Sequence, residues 1–238
     1  MTDKWVSVGD SRLWTTSHGD GLPVLFLNGG PGCDDYLSPV SEMLEDLCQC
    51  VRFEPRGCGR STWDGHYDLQ TMVNDVNQVR LAYGFDKVVL LGHSFGPDLG
   101  LAYSLSYPTH VHALIAVAGG RIVNDRSWHA AYAENRHREE SPKEYSFDPD
   151  VNRLGNETYK AFIKTPDLLR QIADMKTPCF YIAAGSDIRP NWPIRQLAGL
   201  ISHSEYQEIG AAGHYIWTSH TNELSKALRK IVSKISCD

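Results

Sequence analysis

Ser94 sits at the centre of Gly92-His93-Ser94-Phe95-Gly96. A serine hydroxyl is a weak nucleophile near neutral pH. It needs a histidine to take its proton and a carboxylate to hold that histidine in the right tautomer. Asp187, in Ala184-Gly185-Ser186-Asp187, has the type and place for the carboxylate, just past a strand-like apolar run. It also reads as a turn-forming aspartate ahead of Pro190. Among ten histidines, His214 stands out because Gly210-Ala211-Ala212-Gly213 delivers it on a flexible loop before the last helix. His93 belongs to the turn around Ser94, while His203 and His220 flank helices and are expected to be solvated.

Acyl transfer also needs donors for the developing oxyanion. The N–H of Phe95, directly after the serine and at a helix N-terminus, is one candidate. The loop Asn28-Gly29-Gly30-Pro31-Gly32 is the source of the other, because glycines let backbone N–H groups converge. The same loop could be read as a phosphate cradle, but neither Gly-x-x-x-x-Gly-Lys nor Gly-x-Gly-x-x-Gly occurs there. Side chains at Gly92 or Gly96 would crowd a tight turn.

These residues are useful only if strands and helices bring them together. Val88-Val89-Leu90-Leu91 is a continuous apolar run of the kind found in buried parallel strands, and Leu99, Leu101, Ala102 and Leu105 follow at helical spacing. Strands are expected at 24–27, 50–53, 113–117, 179–184 and 205–208, after an N-terminal hairpin of 5–8 and 12–16. Helices are expected at 36–47, 69–83, 193–200 and 222–235. Such alternation predicts an α/β fold with a mostly parallel twisted sheet covered on both faces. Residues 1–120 and 177–238 form the expected core. The regular pattern breaks over 121–176, where a short cap or lid insertion is expected. Trp128 to Arg138 looks helical there, and Ser141-Pro142 and Asp148-Pro149 punctuate the remainder.

With 42% apolar and 22% charged residues, a chain of 238 residues can bury one sizeable core. A net charge of −6 and the lack of any basic run argue against nucleic acid or an anionic membrane as partner. No apolar run approaches the roughly 18 residues that would span a membrane. The N-terminal residues lack a signal-peptide pattern, and the six cysteines lack metal-ligand spacing. A cytoplasmic protein with reduced thiols and no metal or cofactor is expected, acting on a small molecule or short peptide.

Three blocks make the chain resemble the prolyl iminopeptidase group of α/β-hydrolases. Asn28-Gly29-Gly30-Pro31-Gly32 is similar to that group's His-Gly-Gly-Pro-Gly. Glu54-Pro55-Arg56-Gly57-Cys58-Gly59-Arg60-Ser61 is similar to its Asp-x-Arg-Gly-x-Gly-x-Ser, and Gly92 to Gly96 matches its nucleophile turn. The resemblance implies an α/β-hydrolase fold, a Ser94, Asp187, His214 triad, and oxyanion donors at Gly30 and Phe95. Asn28, Glu54 and Pro97 depart from the group's usual residues, and the insertion is much shorter than its cap. That cap carries glutamates for a substrate's free amine. Trp128-His129-Ala130-Ala131-Tyr132-Ala133-Glu134 is faintly similar to the segment bearing one of them. Trp128 and Glu134 are therefore candidate substrate contacts, although Glu134 also reads as a solvated member of a charged run. Trp128, Tyr132, Tyr145, Phe147, Tyr159 and Phe162 offer aromatic surface either to substrate or to the packing of the insertion. The expected activity is proline iminopeptidase-like hydrolysis. The alternatives are a small-molecule esterase or amidase and a ligand-binding relative with little turnover.

Overall fold

The computed structural model describes residues 1–123, 126–139 and 145–237. The Ser141-Pro142 break lies outside them. A hairpin of β1 (Thr2–Val8) and β2 (Ser11–His18) opens the chain, closing where Val8 pairs with Ser11. There follow β3 (Leu22–Leu27), α1 (Ser38–Glu42), β4 (Cys48–Phe53), α2 (Leu69–Ala82), β5 (Val88–His93) and α3 (Gly96–Ser106). Then come β6 (Val111–Val117), α4 (Arg126–Asn135), α5 (Pro149–Phe162) and α6 (Leu168–Asp174). The chain finishes with β7 (Cys179–Ala184), α7 (Trp192–Leu200), β8 (Ser204–Ile209) and α8 (Thr221–Ile235).

The eight strands form one sheet in the order β1-β2-β4-β3-β5-β6-β7-β8. The hairpin joins antiparallel through β2 and β4, and every pairing from β4 to β8 is parallel. The alternating directions of strand side chains divide the core in two. Leu25, Leu27, Leu90 and Leu114 face α2, α3 and α7, whereas Val24, Phe26, Val89, Leu91 and Ile115 face α1 and α8. Helices on both faces account for the unbroken apolar runs of β5 and β7, whose residues are all buried. α2 turns Met72, Val73, Val76 and Val79 inward, and its first turn is capped by Asp68, which accepts the Thr71 N–H at 3.0 Å. Fully buried Leu90 lies at the centre of this arrangement, where truncation to alanine costs about 2–5 kcal/mol.

Helix 36–47 is the main departure from the sequence expectation. Regular helix covers only Ser38–Glu42, and turns continue to Leu47. Leu37, Val40 and Leu44 are buried as their spacing suggests, but the N–H groups of Met43, Leu44 and Leu47 bond three residues back. Such tighter winding ends the helix early, because Leu47 must also accept the Leu22 N–H beside β3. Tertiary pairing overrides a sound helical periodicity here.

α5 has the sharpest sequence signals of the segment between β6 and β7. Asp148 accepts the Val151 N–H at 2.8 Å, and Pro149 occupies the first turn. α5 rests directly on the loop after β3, since a Cβ on Gly155 would come within 2.6 Å of the Pro31 ring. Parallel strands put the loops after β3, β5, β6, β7 and β8 at one edge of the sheet, where open α/β sheets form their sites. Among the described residues no helix is long and apolar enough to cross a membrane, and the six cysteines are free.

Candidate active site

β5 ends in a turn that only particular residues can make. Ser94 has φ = 60°, a left-handed conformation that a residue with a Cβ adopts at a cost of about 1–3 kcal/mol. Its N–H is held by the Val117 carbonyl at 3.1 Å. A Cβ on Gly96 would lie 2.1 Å from the Leu27 carbonyl oxygen, and one on Gly92 would lie 2.4 Å from the Gly96 carbonyl carbon. Glycine at both positions lets the turn close against β3, lifting Ser94 into the sheet-edge cavity. That cavity has a volume of about 290 Å³, with Gly30 and Phe95 beside Ser94 in its wall. Among the described residues, neither the Gly30 N–H nor the Phe95 N–H has a hydrogen-bond acceptor.

Asp187 follows β7 and His214 follows β8, and their loops are stitched together. The Gly185 N–H bonds to Ile209 at 2.9 Å and the Ser186 N–H to Ala212 at 2.8 Å. His214 Nδ1 meets Asp187 Oδ2 at 2.6 Å, with both side chains nearly inaccessible. Burial alone would raise the Asp187 carboxyl. The His214 charge and hydrogen bond, with Arg189, outweigh it and hold the group below the ordinary carboxylate range. An ionised Asp187 only accepts, so His214 carries its proton on Nδ1 and leaves Nε2 free to act as a base. Among the described residues the Ser94 hydroxyl has no hydrogen-bond partner; catalytic contacts often tighten only once substrate is bound.

His93 and Tyr36 connect this pair of loops to the loop after β3. Tyr36 Oη accepts the Gly29 N–H at 2.8 Å and lies 2.7 Å from His93 Nδ1, while His93 Nε2 lies 3.1 Å from the His214 carbonyl. Burial, aided by the His214 charge, pushes His93 well below the usual histidine range. The ring is therefore neutral and donates from Nε2 to the carbonyl, which leaves Nδ1 to accept from Tyr36. This link was not evident from the sequence, because its partners lie 57 and 121 residues from one another along the chain.

The remaining wall comes from α3, the stretch after β6, α4 and α5. Trp128 and Tyr132 line it, with rings stacked 5.6 Å apart. The other aromatic candidates are dispersed: Tyr159 is buried against Phe95, Tyr145 bonds to Tyr215, and Phe147 is half exposed. Glu134 is exposed and stands outside the cavity wall. Asp98, Arg121, Lys160 and Arg189 line the cavity although sequence reasoning did not select them. Asp98 had one available signal, its place one helical turn beyond Ser94. Arg189 is tied to Glu139 at 2.5 Å and to Asp187 at 3.3 Å.

Comparison with known proteins agrees with this architecture. Over 112 residues the chain is 35% identical to the proline iminopeptidase of Neisseria gonorrhoeae, covering 40% of this chain and 32% of that one. A proline iminopeptidase from Saccharolobus solfataricus is 34% identical over 108 residues, covering 42% and 34%. The match thus spans about a third of the length of these relatives. Among solved structures, a thermophilic esterase from Thermogutta terrifontis superposes with a TM-score of 0.79 over 99% of both chains at 19% identity, a likeness of fold. A sequence model described as the alpha/beta hydrolase fold matches residues 23–142, and the chain belongs to that family.

Proposed function

We propose that this chain is a serine hydrolase that cleaves small-molecule esters or amides through a covalent acyl-enzyme. The observation that carries this reading is the buried 2.6 Å contact of His214 with Asp187 at the sheet edge where the Ser94 turn opens into a cavity. In the proposed cycle, His214 Nε2 takes the Ser94 proton as Oγ attacks the carbonyl carbon. The oxyanion gathers the N–H groups of Gly30 and Phe95, worth about 3 kcal/mol each. His214 then protonates the leaving alcohol or amine, and water, deprotonated by His214, releases the acid and restores Ser94. Asp187 keeps the imidazole in the correct tautomer and balances its transient charge. Residues 121–176 serve as a short cap, with α4 and α5 enclosing the substrate. No metal or cofactor is needed for these steps.

A second reading, proline iminopeptidase activity, draws support from the 34–35% identity to such enzymes over part of the chain. It requires a carboxylate for the substrate's free amine. Among the described residues Glu134 is exposed and outside the cavity wall, while Asp187 and Asp98, the two carboxylates that line it, are already engaged. Small esters and amides are therefore the preferred substrates. The test is a panel of p-nitrophenyl butyrate, proline p-nitroanilide and an N-blocked proline anilide. Ester cleavage that disappears in Ser94→Ala supports the proposal. Cleavage of free-amine proline anilide alone would favour the iminopeptidase, and no turnover of any acyl compound by folded protein would favour a ligand-binding role.

A further inference from the structure

The cavity wall holds an imbalance of charge that the hydrolytic reaction does not use. Among the described residues three cations line it, Arg121, Lys160 and Arg189, against two carboxylates, Asp98 and Asp187. Arg189 is answered by Glu139 and Asp187, and Asp187 is committed to His214. Arg121 is only partly answered. Its Nε lies 3.8 Å from Asp98 Oδ2, beyond a hydrogen bond, and Asp98 Oδ1 is taken by the Arg121 backbone N–H at 2.8 Å. The Arg121 Nη1 is buried and has no acceptor among the described residues. Lys160, half-buried on α5, has no ion pair among them.

A buried guanidinium nitrogen without an acceptor is costly, so such groups are normally found paired. Here the guanidinium is also held in place. It stacks 4.3 Å over the Trp128 ring, and the Tyr159 hydroxyl donates to the Arg121 carbonyl. Arg121 also lines the cavity, and the planar fork of donors on a guanidinium suits a planar anion. The local charge count suggests how much anion: apart from Arg189, which Glu139 and Asp187 answer, Arg121 and Lys160 face Asp98 alone, one positive charge in excess when all three are ionised. Burial also raises the Asp98 carboxyl to about 7, which further weakens its claim on Arg121.

We propose that the substrate carries one carboxylate besides the bond that is cleaved, held between Arg121 and Lys160 on the α3–α5 side of the cavity. This rests on the reading of Ser94 as nucleophile only for its kinetic consequence, since binding can be measured without turnover. A volume near 290 Å³ is at the small end for ligand pockets, so the half-ester or half-amide of a short dicarboxylic acid is the fitting class. Arg121 and Lys160 position such a substrate and discriminate against neutral acyl compounds.

Monoethyl succinate and ethyl butyrate differ in little but the carboxylate, which makes them a suitable pair. In Ser94→Ala protein, NMR titration should give a Kd for monoethyl succinate at least tenfold below that for ethyl butyrate, as expected for a charge-assisted contact. Adding Lys160→Gln, at a half-buried position that tolerates polarity, should remove most of that difference, and Lys160→Glu should reverse it. In protein with Ser94 intact, the ratio of kcat/KM between the two esters should fall at least tenfold in Lys160→Gln, chiefly through KM. Equal affinity for both esters, or a preference untouched by both Lys160 variants, would overturn the anion site even if Ser94 proves nucleophilic. Competition by inorganic phosphate as strong as that by monoethyl succinate would overturn the carboxylate assignment. Failure of Ser94 to react would leave the binding result standing, so the two claims fail separately.

Discussion

Tyr36→Phe removes one oxygen and with it two hydrogen bonds, to the Gly29 N–H at 2.8 Å and to His93 Nδ1 at 2.7 Å. The phenyl ring stays between Tyr145, Tyr215 and Trp217, so packing is little changed. Each bond contributes about 1 kcal/mol, and the groups left without partners add to the loss, so about 2–3 kcal/mol of stability should go. For a chain of this size that lowers Tm by roughly 4–12 °C. The functional effect should exceed the stability effect. Gly29 precedes Gly30 in the proposed oxyanion loop, and His93 supports the His214 backbone at 3.1 Å. Slackening both ends of the reacting geometry should lower kcat for p-nitrophenyl butyrate about tenfold, with KM within about twofold, since a small misplacement costs much rate. Tyr145→Phe is the control: its hydroxyl meets that of Tyr215 at 2.8 Å and should cost stability without the same fall in kcat. Scanning calorimetry and steady-state kinetics read both quantities. Tyr36→Phe with unchanged Tm and kcat would refute the role given to this link.

His214→Ala and Asp187→Asn should each lose at least about a thousandfold in kcat, and the double variant should be little worse than the worse single one; strictly additive losses would show that one residue is misassigned. Asp98 has its folded-state pKa raised from 3.8 to about 7 by burial, which outweighs Arg121. Its stabilising contribution is therefore complete below about pH 4 and is lost as pH rises through 7. Urea denaturation of Asp98→Asn should consequently show a smaller fall in stability between pH 5 and pH 8 than the unsubstituted protein does; parallel pH profiles would contradict this. Gly96→Ala would force a Cβ to 2.1 Å from the Leu27 carbonyl oxygen, and should cost more than about 4 kcal/mol or prevent soluble expression altogether. A well-folded Gly96→Ala protein would mean that the turn is looser than described.

The turn around Ser94 was legible because its signals are local. An apolar run long enough for one buried strand meets glycines whose absent side chains the turn requires. Asp187 and His214 were reachable for a related reason, since each follows a strand and parallel strands deliver their loops to one edge. The α2 face over Met72, Val73, Val76 and Val79 followed from periodicity alone. The stretch after Tyr36 misled because Leu37, Val40 and Leu44 are buried at helical spacing in a chain path that is only briefly helical. Burial periodicity and hydrogen-bond pattern are separate properties, and the pairing of Leu47 beside β3 decided the second. The cavity wall was the least legible part. Arg121, Lys160 and Asp98 come from three elements with no common motif, and their significance depends on which charges remain unanswered after folding. Glu134 was suggested by a local similarity, yet α4 turns it to solvent.

The central claim is that Ser94 is the nucleophile, and covalent capture tests it most directly. Folded protein treated with a fluorophosphonate should gain one adduct, mapped by mass spectrometry to the peptide containing Gly92-His93-Ser94-Phe95-Gly96 and absent from Ser94→Ala. Folded protein that stays unmodified, or an adduct that maps to another residue, would contradict the account.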